Sequence, residues 1–274
     1  DLTPSQLSGS GGTITDNGIS LGTSIVTVDQ SVGSTFAGSI ANGASRIISM
    51  IKAGIGTLTL TGNNTFTGPL TISNGTVIAA GEGGNIPILS DIFLGDGSND
   101  VWLIAAAGGN QFGAGTVVNF TNGGKNGKLQ LRGTNQTLAG IDSTADPSFS
   151  LSIIQNDETI APGYAGDPGP ATLTLDTFTD HSFAGLIRAA NGGPLNIVKE
   201  GAATQEIRNI LVGASSPGAV TINEGQLTFN LNANANNTHT LGAGANITVN
   251  SGGTLGLDGG WTVARAISGA GKIV

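Results

Sequence analysis

The sequence predicts an all-β chain wound as a parallel β-helix, a β-solenoid. Three observations point there: an excess of glycine without helical periodicity, a short strand–turn–strand phrase that recurs, and a larger unit that occurs twice. Of 274 residues, 46 are Gly and only 10% are charged. Globular chains average about 7% Gly and about 25% charged residues. Each interior Gly costs a helix roughly 1 kcal/mol, which argues against a helical bundle. Collagen would need Gly at every third place. A hydrophobic content of 38% with few charges is the opposite of a disordered composition.

The short phrase reads Leu70-Thr71-Ile72-Ser73-Asn74-Gly75-Thr76-Val77. It returns as Val220-Thr221-Ile222-Asn223-Glu224-Gly225-Gln226-Leu227 and as Ile247-Thr248-Val249-Asn250-Ser251-Gly252-Gly253-Thr254-Leu255. A looser copy runs from Val117 to Gly123. Alternation of branched apolar and polar residues is the period of a strand with one buried face. Asn-Gly and Glu-Gly pairs supply the positive φ that a tight turn needs.

The longer unit is read from offsets. Phe36-Ala37-Gly38-Ser39-Ile40 matches Phe183-Ala184-Gly185-Leu186-Ile187, and 183 − 36 = 147. Lys52 and Gly54 match Lys199 and Gly201 at the same offset. Ile72 and Gly75 match Ile222 and Gly225 at 150, so the second copy carries an insertion. Ile267 to Ile273 echoes Leu7 to Thr13, as if the chain ends where its cycle began.

These offsets divide one continuous solenoid, 1–274, into modules near 7–80 and 138–230, with a partial third at 246–274. The Gly/Pro-rich stretches 81–87 and 161–170 are predicted as surface loops. No stretch sustains a helical period. The most helix-compatible piece, Ser45 to Ala53, suits a buried strand equally well. At roughly 20–25 residues per turn the chain makes about 11–13 turns, a rod of roughly 50–60 Å.

Residues Lys52-Ala53-Gly54-Ile55-Gly56-Thr57-Leu58-Thr59-Leu60-Thr61-Gly62-Asn63-Asn64-Thr65-Phe66-Thr67-Gly68, then Leu70 to Val77, resemble the autotransporter-associated β-strand repeat. That family is built around K-x-G-x-G-x-L-x-L-x-G-x-N-x-Y/F-x-G, then T-x-V-x-x-G-x-L. Phe66 stands at its usual Tyr, and Pro69 departs from its usual Gly or Thr. The copy from Lys199 is degenerate, with Gln205-Glu206-Ile207-Arg208-Asn209 in place of the regular strand. The resemblance implies a right-handed parallel β-helix in a secreted bacterial passenger region and no catalytic residue. The family's membrane barrel is not recognisable in this sequence, and no signal peptide opens it at Asp1.

The chemistry-bearing residues are sparse. The chain has no Cys, which removes disulfides and thiolate metal sites. A net charge of −8 with ten scattered Lys and Arg argues against nucleic-acid binding. No apolar run reaches the roughly 18 residues of a membrane helix. His181 and His239 have no carboxylate at ligand spacing and are expected as exposed loop residues. Asp96-Gly97-Ser98-Asn99-Asp100 offers oxygens for weak Ca²⁺ binding at Asp96 and Asp100, yet an Asx-type turn fits it better. Asp157 and Glu158 are adjacent, so on a strand they point to opposite faces and do not pair as glycosidase carboxylates. Gly123-Gly124-Lys125-Asn126-Gly127-Lys128 lacks P-loop spacing and is expected as a hairpin-like turn with two solvated lysines. Asn63, Asn74, Asn119, Asn135, Asn236 and Asn246 head N-x-Ser/Thr triplets that an Asn- and Thr-rich turn sequence produces on its own. Trp102 and Trp261 are expected to pack rather than to stack on sugar.

No catalytic, cofactor-binding or metal-binding residue is therefore assigned. The expected role is a non-catalytic structural or interaction protein of the bacterial cell surface or extracellular matrix. It would act as a stiff stalk, or as a filament subunit joined head to tail through open β-helix ends, those ends meeting either another subunit or further repeats of a longer chain. The alternative is an adhesin binding a glycan or host surface. A polysaccharide-acting β-helix enzyme is the remote alternative.

Overall fold

The computed structural model describes residues 1–106, 108–121, 125–143, 152–156, 169–189, 193–208, 218–230, 239–241, 245–259 and 261–274. Among these there are strands and turns and no helix. Every strand pair is parallel. A parallel sheet closed by short corners, with no helical crossover, can form only by stacking the turns of a coil.

The strands fall on three faces. After β1 (Thr13–Ile14), the first complete turn is β2 (Gly22–Asp29), β3 (Ser34–Phe36) and β4 (Ser39–Ile40). The second is β5 (Arg46–Ala53), β6 (Thr57–Leu60) and a bridge at Thr65. The third is β7 (Leu70–Ile72), β8 (Gly75–Ala79) and a bridge at Ile88; the fourth is β9 (Ile92–Leu94), β10 (Val101–Ala105) and a bridge at Phe112. The fifth is β11 (Val117–Phe120), β12 (Gly127–Gln130) and β13 (Asn135–Leu138). The sixth is β14 (Gly140–Ser143), β15 (Ser152–Gln155) and β16 (Ala171–Asp176). The seventh is β17 (His181–Ala184), β18 (Leu186–Arg188) and β19 (Leu195–Glu200). Next come β20 (Thr204–Arg208) and β21 (Val220–Asn230), the latter bending from the third face onto the first. β22 (His239–Leu241), β23 (Ile247–Asp258), β24 (Trp261–Val263), β25 (Ile267–Ser268) and β26 (Lys272–Ile273) complete the stack.

About nine turns show all three sides among the described residues, fewer than the 11–13 expected. The expectation divided the whole chain by one turn length. In fact the sixth turn alone takes up the chain from Gly140 to Asp176, and the end turns are partial. The first face stacks eleven strands from β2 to β26, and ten spacings of about 4.8 Å give a rod of about 48 Å.

Inward side chains stack in register. One column runs Val26, Met50, Leu70, Ile92, Val118, Ile141; another runs Leu58, Val77, Leu103, Leu129, Ile154, Ile187. All twelve are buried, each contributing about 1.5–3 kcal/mol of apolar transfer. Of the segment from Ser45 to Ala53, Arg46–Ala53 is strand, with Ile48, Met50 and Lys52 inward. The degenerate Gln205–Arg208 stretch also remains a strand, with Gln205 and Ile207 buried. Residues 81–87 form a turn and loop, and 161–168 lie outside the described residues. The echo between Leu7–Thr13 and Ile267–Ile273 does not mark one phase of the coil. The first leads from the second face to the third, the other from the third to the first.

Candidate functional site

Two features concentrate polar chemistry: a buried lysine corner that occurs twice, and an acid-lined groove on the first face.

Lys52 sits in an inward column between Val28 and Ile72 and is fully buried. Its Nζ donates to the carbonyls of Ala53 (2.6 Å), Gly54 (2.7 Å) and Asn74 (3.3 Å). An ammonium has three donors, so the cradle matches it fully. Lys199 repeats this, donating to the carbonyls of Glu200 (2.5 Å), Gly201 (2.7 Å) and Glu224 (3.4 Å). Burial pulls both ammonium groups down to about 8, opposed by Asp29 at Lys52 and by Asp176 and Glu224 at Lys199. Gly54 and Gly201 hold φ of 72° and 70°. A Cβ at either would lie 2.4 Å from Gln30 O or 2.3 Å from Thr177 O, the backbone of the turn below. Only glycine meets both demands.

The two corners are equivalent at offset 147, yet they lie on different edges. The Lys52 corner joins the first face to the second, and the Lys199 corner joins the third to the first.

The groove encloses about 440 Å³ and is lined by Asp142, Asp180, His181, Ser182, Thr204, Glu206 and Thr228. His181 is not a loop residue. It opens β17, its side chain is only 9% exposed, and its Nδ1 lies 2.7 Å from Asp142 Oδ2. Its Nε2 lies 3.1 Å from Thr179 Oγ1. Glu206 accepts from Ser182 Oγ (2.6 Å) and Asn230 Nδ2 (2.5 Å), and Asp180 accepts from Thr204 N (2.8 Å). Every carboxylate of the groove is thus already engaged in holding turns together. Sequence spacing missed the His181–Asp142 pair because the partner lies one turn away, 39 residues earlier.

Most of the other singled-out residues are also used between turns. Asp96 Oδ1 accepts Ser98 N (2.8 Å) in an Asx-type turn. Asp100 Oδ1 accepts Asn126 N (2.8 Å) and Nδ2 (3.0 Å), bonds that hold its carboxyl below the usual range. Among the described residues no three His, Asp or Glu side chains gather as metal ligands. Lys128 is not in a turn. It lies on β12, its Nζ 4.0 Å above the Trp102 ring. Trp261 packs against Phe229 at 6.0 Å and donates to its carbonyl (3.1 Å). Asn63, Asn119 and Asn135 bond the backbone of neighbouring turns through their side chains, and the Asn74 carbonyl closes the Lys52 cradle. His239 opens β22. Asp157, Glu158, Gly123, Gly124 and Asn236 lie outside the described residues.

Residues 50–79, the two turns that build the Lys52 corner, match the family model of the passenger-associated-transport-repeat. A 112-residue stretch, 40% of this chain, is 34% identical to the adhesin BmaC autotransporter of Brucella suis biovar 1 (strain 1330). That match takes in 3% of the adhesin's length. No solved structure matches. The matched segment thus coincides with the lysine cradle and the stacked columns, not with the groove.

Proposed function

We propose that this chain is a stiff, non-catalytic stretch of a surface-displayed or secreted adhesin of the autotransporter kind. The observation that carries this reading is the passenger repeat at 50–79, whose defining residues serve to stack one turn on the next. The engaged carboxylates of the groove support a scaffold role over catalysis. A test is display of the chain on a non-adherent bacterium. Attachment to host cells or to a glycan array at the level of empty-surface controls fits a stem. Binding abolished by changes in the groove would instead make this stretch the recognising part.

A second reading is end-to-end stacking. β26 pairs with β23 along one edge, and Ile273 and Val274 are 56% and 66% exposed. Strand edges of this kind accept another strand readily, from a further turn of the same polypeptide or from a second copy. Sedimentation of the purified chain at high concentration tests it. Fibres would support a filament subunit, and a monomer at all concentrations would reject one.

A further inference from the structure

The first face carries one interruption. β2, β5, β7, β9, β11 and β14 form one continuous ladder, and β17, β20, β21, β23 and β26 continue it above. Between β14 and β17 there is no backbone pairing among the described residues. The other two faces are continuous at the same level, through β12–β15–β18 and β13–β16–β19.

Side chains fill the gap. Asp142 Oδ1 accepts Ser182 N (2.9 Å), and Asp142 Oδ2 holds His181. Ser143 Oγ accepts Ala184 N (2.6 Å) and donates to Ala184 O (3.2 Å). Gln205 reaches further, from β20 past the level of β17. Its Oε1 accepts Ile141 N (3.1 Å) and its Nε2 donates to Ile141 O (3.0 Å), as the peptide of a neighbouring strand would. The route is open because the His181 ring lies over Gly140, where a Cβ would come within 2.2 Å of it. Phe120 and Phe183 meet across the small Ser143, their centroids 5.2 Å apart.

The third face also uses side-chain amides, at Asn64, Gln111 and Gln136, which like Gln205 are buried. The first-face seam differs at its Asp142 end, which opens onto the 440 Å³ groove with the Asp142 side chain 35% exposed. Water reaching that end can take over the Asp142 bonds to Ser182 and His181, whereas the continuous ladders exclude it.

We propose that this seam is a built-in joint of the solenoid. Its first face opens between β14 and β17 while the other two faces stay paired, so the rod bends there without unfolding.

Residue-resolved amide hydrogen exchange on the full chain tests this. The amides of Ile141, Ser182 and Ala184 should exchange at least tenfold faster than those of Met50 and Leu70. Q205L should speed Ile141 a further tenfold or more and leave β5 and β7 unchanged. S143A should do the same at Ala184 with a smaller loss of packing. Seam amides as slow as those of β5, or a uniform rise over all turns in both variants, would overturn the joint.

Discussion

The Lys52 and Lys199 corners are the same object set on different edges of one rod. Each has an ammonium in a three-carbonyl cradle, a glycine near φ 70° two residues on, and an aspartate on the turn below. They differ in the strand that leaves the corner. In the first copy Leu58 continues an apolar column; in the second the equivalent residue is Gln205, which ties the seam. The corner therefore carries its own geometry and is indifferent to the face it serves. The strand after it is free to take on other work.

Glycine at the corner should matter most, and equally in both copies. G54A and G201A each combine left-handed strain with overlap onto the backbone below. We expect a loss of more than about 3 kcal/mol for each, read as a shift in urea midpoint. A large difference between the two would break the equivalence.

The next comparison exchanges Leu58 and Gln205. L58Q buries an amide where an apolar column stands and should cost about 3 kcal/mol. Q205L unpairs Ile141 but gains apolar contact, and should cost about 1–2 kcal/mol. If Q205L proves the more damaging, the seam holds more of the fold than its geometry suggests.

Replacing the ammonium comes third. K52M and K199M each leave three carbonyls without their donor and should cost about 2 kcal/mol. The pH dependence is smaller and has a definite sign. Both lysines are depressed from 10.5 to about 8 in the folded chain. Between these values the unfolded chain holds protons that the folded chain has released. Stability contributed by these groups therefore rises with pH across that window and is flat below it. Relative to the double K52M/K199M variant, the urea midpoint of the unaltered chain should climb from pH 8 to 10.5. Smallest of all is K128Q, which removes the cation from Trp102 and should cost about 0.5 kcal/mol.

Much of this was legible in the sequence. Alternation at Leu70–Ile72 and Ile247–Val249 marks strands, and Asn74-Gly75 and Glu224-Gly225 mark corners with φ of 70° and 63° at the glycines. The offset of 147 pairs the two lysines with no knowledge of their contacts. Their burial was not legible, because a lysine at the end of a strand ordinarily points to solvent. Nor was the change of edge, since an offset counts residues and the sixth turn's length is set by its excursions. His181 with Asp142, and Gln205 with Ile141, were hidden for another reason. Such contacts obey the stacking of turns, so their partners stand 39 and 64 residues away.

The equivalence of the two corners is tested most directly by nuclear magnetic resonance of the lysine side chains, tracking Cε and Nζ shifts of Lys52 and Lys199 with pH. Both should titrate near 8, and both ammonium groups should exchange slowly with water below that pH. Two lysines titrating near 10.5 with rapid exchange would contradict the buried cradle, and one of each would show that the second corner has lost what the first retains.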